Sequence, residues 1–186
     1  WAGDNECGDG VPGFDSFFHG LFVSGLIGAN ADNGIGIAGM DWAASILPVR
    51  ALARCGGTNA DVLEGMLWAS GVQIAGVPAN QHPARVINMS LGGWGACSSA
   101  VQEAIDDALA QGAVVVVSAG NASIDVESFS PANCGGVITV GATGNTGERA
   151  SYSNFGPRVD LYAPGDDRDD ETSLIVSTYA YGSTTP

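Results

Sequence analysis

Few side chains in this chain can do chemistry, and one of them lies where an α/β sheet would meet a ligand. Asn121 closes Ser118-Ala119-Gly120-Asn121, directly after the apolar run Ala113-Val114-Val115-Val116-Val117. A run so unbroken reads as a strand covered on both faces. Ligands of open α/β sheets sit beyond the carboxyl ends of the strands. A side-chain amide at that place is a neutral donor for an oxyanion as it develops. Gly-Asn is also ordinary turn chemistry, and taken alone it favours the turn. His19 stands at the N-terminal edge of a helix-like stretch, where a lone histidine means little by itself. His82, between polar residues and a proline, reads as solvent-exposed and idle.

Asn33-Gly34-Ile35-Gly36-Ile37-Ala38-Gly39 contains a formal Gly-x-Gly-x-x-Gly, with Asp61 downstream where a dinucleotide fingerprint would place an acidic residue. No strand precedes it, and Met40-Asp41-Trp42 opens no helix, so the context of a nucleotide site is missing. Cys7, Cys55, Cys97 and Cys134 are far apart and form no Cys-x-x-Cys pair. That spacing argues against zinc and for the disulfides of a secreted protein. Cys55 and Cys97 both lie in Gly-rich loops, at the ends of strands expected to be neighbours. They are the expected pair, with Cys7 and Cys134 left to bond each other or cysteines elsewhere.

These residues need a scaffold, and 186 residues suffice for one domain with a sizeable core. The net charge is −14, with six arginines and no lysine. Such a surface repels nucleic acid and anionic membranes, so neither is expected as a partner. No stretch reads as a signal peptide or a transmembrane span. The start at Trp1 reads as a processed or trimmed product.

A helix is expected from His19 to Gly28, buried on much of its surface through Leu21, Phe22, Gly25, Leu26 and Ala29. Ser45–Leu52 reads as a strand with Pro48 at a bulge. Thr58 or Asn59 is placed to cap a helix through Val62, Leu63, Met66, Leu67 and Ala69. Arg85–Ser90 is the next strand and runs into Leu91-Gly92-Gly93. Ser99 and Gln102 form an expected capping box for a helix through Val101, Ile105, Ala108 and Leu109, with Gly112 at its C-terminal end. Val137–Val140 and Val159–Tyr162 are further apolar runs, and Leu174–Thr178 reads as a last strand. Strands alternating with helices imply an α/β fold with a mostly parallel central sheet, right-handed crossovers and no second domain.

Several separated segments together resemble one family, the subtilisin-like serine proteases, in the same order. His19-Gly20-x-x-Val23-x-Gly25 resembles their active-site histidine segment and Asn88-Met89-Ser90-Leu91-Gly92-Gly93 their substrate-binding strand. Ser118-Ala119-Gly120-Asn121 resembles the segment with the oxyanion-hole asparagine. Phe129-Ser130-Pro131-Ala132, Ser151-Tyr152-Ser153-Asn154-Phe155-Gly156 and Ala163-Pro164-Gly165 are similar to their later loops. The resemblance covers most of the chain from His19 to Gly165, and its nearest members are secreted bacterial ones. It implies a three-layer fold with helices on both faces of the sheet. Leu21 and Phe22 depart from the family's usual His-Gly-Thr-His. No Asp-Thr/Ser-Gly segment lies in the 18 residues before His19, and no Gly-Thr-Ser-Met-Ala follows. One triad member of three is therefore expected here, and flanking segments of the same protein would supply the others.

The resemblance implies hydrolysis of peptide bonds, with His19 as general base and Asn121 donating to the oxyanion. Ser90, Leu91, Gly92 and Gly93, with Ala119 and Gly120, would bind protein or peptide as an added strand. In one branch of the family two carbonyls and an aspartate hold calcium. The matching positions are Gly135, Val137 and Asp160, and no organic cofactor is expected. A monomeric, extracellular enzyme is the reading that results. A catalytically inactive relative that binds peptides, an inactive fragment and a nucleotide-binding α/β protein are the alternatives.

Overall fold

The computed structural model describes residue 8 and residues 18–52, 55–165 and 174–178. The chain divides into two compact units, one holding the residues up to Val62 with those from Val176 onward, the other Leu63–Ile175.

In the first unit, α1 spans His19–Gly28. Gly25 is its buried residue, while Leu21 and Ile27 are exposed, so the expected burial on much of the helix surface is not met. Gly25 is glycine for a steric reason, since a Cβ there would collide with the Thr178 hydroxyl. Residues 174–178 form no strand. Instead Ser177 and Thr178 donate their hydroxyls to the carbonyls of Phe22 and Leu21, at 2.5 and 2.8 Å. The glycine-rich segment after α1 cradles no phosphate-binding helix. It folds back on the C-terminal end of α1, where Gly39, Met40 and Asp41 donate to the carbonyls of Ala29, Leu26 and Ile27. A Cβ on Gly39 would strike the backbone of Gly28 and Ala29, so this glycine serves the close approach of two segments of the chain. Ser45–Leu52 is not a strand either. Strand character needs a ladder partner, which this stretch lacks among the described residues, and Pro48 has no N–H to offer one.

Helix α2, Asn59–Ser70, begins with a reciprocal cap. The Asp61 amide donates to Thr58 Oγ1 at 3.1 Å, and the Thr58 hydroxyl and amide donate to Asp61 Oδ2 at 2.7 and 3.2 Å. Of the two expected caps, Thr58 is the one used. Asp61 acts there as a helix cap, with no nucleotide needed to explain it. At the other end of the helix, Asn80 donates Nδ2 to the carbonyls of Trp68 and Ala69, 3.1 Å each. His82 is exposed in that surface loop.

The second unit is built on a four-stranded sheet of β1 (Val86–Met89), β3 (Val114–Ser118), β5 (Ile138–Thr143) and β6 (Leu161–Pro164), in that order. All three pairings are parallel, with Val86 opposite Val114, Val116 opposite Ile138 and Val140 opposite Leu161. Pro164 is tolerated because β6 is an edge strand among the described residues. Helix α3, Ser99–Ala110, makes the crossover from β1 to β3. Its Ile105 and Ala108 are fully buried, as is Val115, and Val117 nearly so. Burial along β3 alternates, and Val114 is 41% exposed. The strand expected to be covered on both faces is thus fully covered on one.

The cap of α3 is Ser98, whose Oγ accepts from the Val101 amide at 3.3 Å. The expected Ser99–Gln102 box does not form, because Gln102 bridges to another loop. Its Oε1 accepts from the Gly135 amide at 2.7 Å and its Nε2 donates to the Gly135 carbonyl at 3.1 Å.

A second, antiparallel pair joins β2 (Gly93–Trp94) to β4 (Phe129–Ser130), with Gly93 opposite Ser130 and Trp94 opposite Phe129. This pairing decides the cysteines. It sets the chain after β2 beside the chain after β4, and Cys97 is bonded to Cys134, Cα atoms 5.2 Å apart. The expected Cys55–Cys97 bond is therefore wrong. Cys55 is disulfide-bonded too, but not to Cys97. Closing a loop of sequence separation 37 costs the unfolded chain about 4 kcal/mol by loop-closure entropy.

The Thr58 hydroxyl first, and its amide second, hold the Asp61 carboxyl below its usual value. A lowered value in the folded state means the carboxylate stabilises the fold above the unfolded pKa, about 3.9, and ceases to as pH falls through the folded value. Thermal melts of the full-length protein and its Asp61→Asn variant should therefore differ by a constant amount above about pH 5 and converge as the pH falls below about 4.

Candidate active site

The site segments of the second unit collect at the carboxyl ends of β1 and β3. Where β3 ends, the Ala119 amide donates to the Val140 carbonyl at 2.8 Å and the residue is buried. Gly120 then turns the chain with φ +99°, and Asn121 follows, exposed to solvent. Besides its left-handed backbone, Gly120 is crowded, since a Cβ would lie 2.5 Å from Asn154 Nδ2 and 2.7 Å from Phe129 Cε1.

Beyond β1, Ser90-Leu91-Gly92 leave the sheet and Gly93 enters β2. A Cβ on Gly92 would lie 2.5 Å from Phe129 Cε1 and 2.8 Å from the Ser130 carbonyl oxygen. The ring of Phe129 thus touches both Gly92 and Gly120, so the two segments expected to bind substrate share one aromatic wall. Ala119 and Gly120 offer little main chain to a bound strand. Their carbonyls accept from Asn154 Nδ2 and from the Asn154 amide, at 2.7 and 2.9 Å. Asn133, nearly buried, ties the loops behind this wall by donating Nδ2 to Gly95 O and Glu127 O at 2.9 and 2.8 Å. Phe129 and Asn154 were present in the sequence motifs but had no role there. Their signal is tertiary, the former from contact with two glycines and the latter from hydrogen bonds about 30 residues away in sequence.

His19, in the first unit, is the first residue of α1 and is exposed. Phe18 before it has φ 49°, ψ 30°. A bulky residue in the left-handed region is strained, and such strain is characteristic of functional positions.

Of the three calcium candidates, Val137 immediately precedes β5 and Asp160 immediately precedes β6. They therefore enter neighbouring parallel strands at the same end. Asp160 Oδ2 accepts from the Thr139 amide at 2.7 Å. The Asp160 carboxylate is a hard oxygen donor of the type calcium takes, whereas the Gly135 carbonyl is engaged by Gln102. Among the described residues no three His, Cys, Asp or Glu side chains gather in a metal-binding group.

The profile of the subtilase family matches residues 5–186. The chain belongs to that family. It is 47% identical over its whole length to an extracellular protease of Xanthomonas campestris pv. campestris, of which it spans 31%. It is 45% identical over 171 residues to an extracellular basic protease of Dichelobacter nodosus, of which it spans 27%. A solved structure of a protease from Pseudoalteromonas arctica superposes on all of this chain with a TM-score of 0.94 at 44% identity, and this chain covers 55% of that one. The fold is thus the subtilisin-like α/β fold, and this subtilase chain spans about a third of the length of the curated relatives it matches.

The crowding at Gly120 gives a direct check. Gly120→Ala forces a Cβ into a left-handed residue against two side chains, so it should destabilise the full-length protein by about 1–3 kcal/mol. Denaturant unfolding measures this, and an unchanged midpoint would contradict the packing described.

Proposed function

We propose that this subtilase chain forms part of a serine endopeptidase acting on proteins or peptides outside the cell. The observation that carries the reading is the common wall at Phe129, where Gly92 and Gly120 meet. It sets the Ser90–Gly93 segment beside the loop that ends in Asn121, in a chain of a protease family. In this reading an extended substrate lies along Ser90–Gly93, and a serine from a flanking segment attacks its carbonyl. His19 takes the serine proton and returns it to the leaving amine, and an aspartate from another flanking segment orients the imidazole. As the carbonyl oxygen gains charge, the Asn121 amide donates to it. The disulfide Cys97–Cys134 and the extracellular names of the relatives support secretion. Among the described residues no helix is long and apolar enough to cross a membrane.

In the full-length protein His19→Ala should abolish peptide-bond hydrolysis. Asn121→Ala should lower kcat roughly 100- to 1,000-fold with KM little changed, a magnitude carried over from the corresponding donor in a subtilisin. Full activity in either variant would remove that residue from the mechanism. A full-length protein without the serine and aspartate segments would be an inactive peptide-binding relative.

Calcium belongs to the same proposal, held by the Asp160 carboxylate and the Val137 carbonyl, with Gly135 contributing if Gln102 yields. An ion that binds only the folded form raises the melting temperature by mass action. Melts in calcium and in chelator should shift for the wild type and not for Asp160→Asn. Asparagine keeps an acceptor for the Thr139 amide, so the two proteins differ mainly in charge. Equal shifts would place the ion elsewhere, and no shift in the wild type would remove it.

A further inference from the structure

Four hydrogen bonds bracket Asn121, and all four end on one residue. Asn154 is fully buried. Before Asn121, its Nδ2 donates to the Ala119 carbonyl at 2.7 Å and its amide to the Gly120 carbonyl at 2.9 Å. After Asn121, its Oδ1 accepts from the amides of Ala122 and Ile124 at 2.9 and 3.2 Å. A chain leaving a parallel strand loses its ladder partners, and a loop of small residues would otherwise be free to move.

Asn154 is itself held. Ser153 Oγ donates to the Asn154 carbonyl at 3.0 Å and accepts from the β5 amide of Ala142 at 2.9 Å. The Phe155 amide donates to the Ile124 carbonyl at 3.0 Å, and the Phe155 carbonyl accepts from Val126 at 2.7 Å. Arg149 donates Nη1 to the Ser153 carbonyl at 2.5 Å, and its guanidinium lies 5.0 Å from the centre of the Phe155 ring. The loop that carries Asn121 is thus held to the 152–155 segment by several main-chain bonds, and the Asn154 side chain alone grips it on both sides of Asn121.

We propose that Asn154 is the positioning residue for the Asn121 donor. The inference rests on the reading of Asn121 as the oxyanion donor and adds what keeps it in place. Donation to a developing oxyanion requires the donor to be set before the reaction, to within about half an ångström. Only a planar amide of this length presents an acceptor to Ala122 and Ile124 and a donor to Ala119 at once. An aspartate lacks the donor, and a serine is too short to span both sides. Gly120 completes the fit, because any side chain there would strike Nδ2.

A purely structural asparagine would lower stability alone, so the test must read coupling to Asn121. Asn154→Ser and Asn154→Asp are made in the full-length protein, each with and without Asn121→Ala, and kcat, KM and melting temperature are measured on a peptide substrate. Asn154→Ser buries no charge and Asn154→Asp keeps the volume and the acceptor, so the two substitutions strain the fold in different ways and either one that folds carries the test. With Asn121 present, each substitution should lower kcat roughly 10- to 100-fold with KM little changed. In the Asn121→Ala background the same substitution should leave kcat unmoved, while the loss in melting temperature is the same in both backgrounds. An equal fold-loss of kcat in the two backgrounds, or no loss in either, overturns the positioning role and leaves the oxyanion reading standing. Full kcat in Asn121→Ala alone overturns the oxyanion reading itself, and the positioning role with it.

Discussion

A parallel strand that ends at a ligand site has a difficulty at its last residue. The ladder stops supplying partners just where the chain must be held most firmly. In this protein the buried amide of Asn154 resolves it, with a donor on one side of Asn121 and an acceptor on the other. A charged group could not replace it, since a buried carboxylate facing the Ala119 carbonyl would be an uncompensated charge. The loop is consequently exposed at Asn121 and rigidly founded beneath it.

The same region depends on the absence of side chains. Gly92 and Gly120 approach one phenyl ring, and Gly120 also approaches Asn154. Both glycines are therefore part of the wall, and the aromatic ring that fills the space between them fixes how near the two segments come. The disulfide between Cys97 and Cys134 and the amide of Asn133 reinforce the antiparallel pair that carries Phe129. Close backbone approach and one ring thus hold the two segments together, and one cross-link fastens the β2–β4 pair behind them.

The candidate site was partly legible beforehand because its signals are local. Asn121 follows an apolar strand at a place where ligands of α/β sheets are met, and the ordered segments from His19 to Gly165 resemble one family. The pairing of Cys97 is hidden from the sequence because it depends on β2 and β4, two strands of two residues each, too short to leave a periodic signal. Gln102 looks like a capping residue in the sequence because a helix cap is a local pattern. Its bond to Gly135 crosses 33 positions of sequence.

From the sequence alone follow the α/β alternation, the apolar strands β1, β3 and β5, a helix cap at Thr58 or Asn59 and the identity of the segments that resemble subtilases. These rest on periodicity, turn chemistry and short motifs, all of which act between residues a few positions apart. Tertiary structure alone decided that Ser45–Leu52 is not a strand, that burial on β3 is one-sided, that Cys97 meets Cys134 and that Asn154 clamps the Asn121 loop. Each of these depends on which surfaces and hydrogen-bonding groups meet after the chain has folded, and distances along the chain do not encode that.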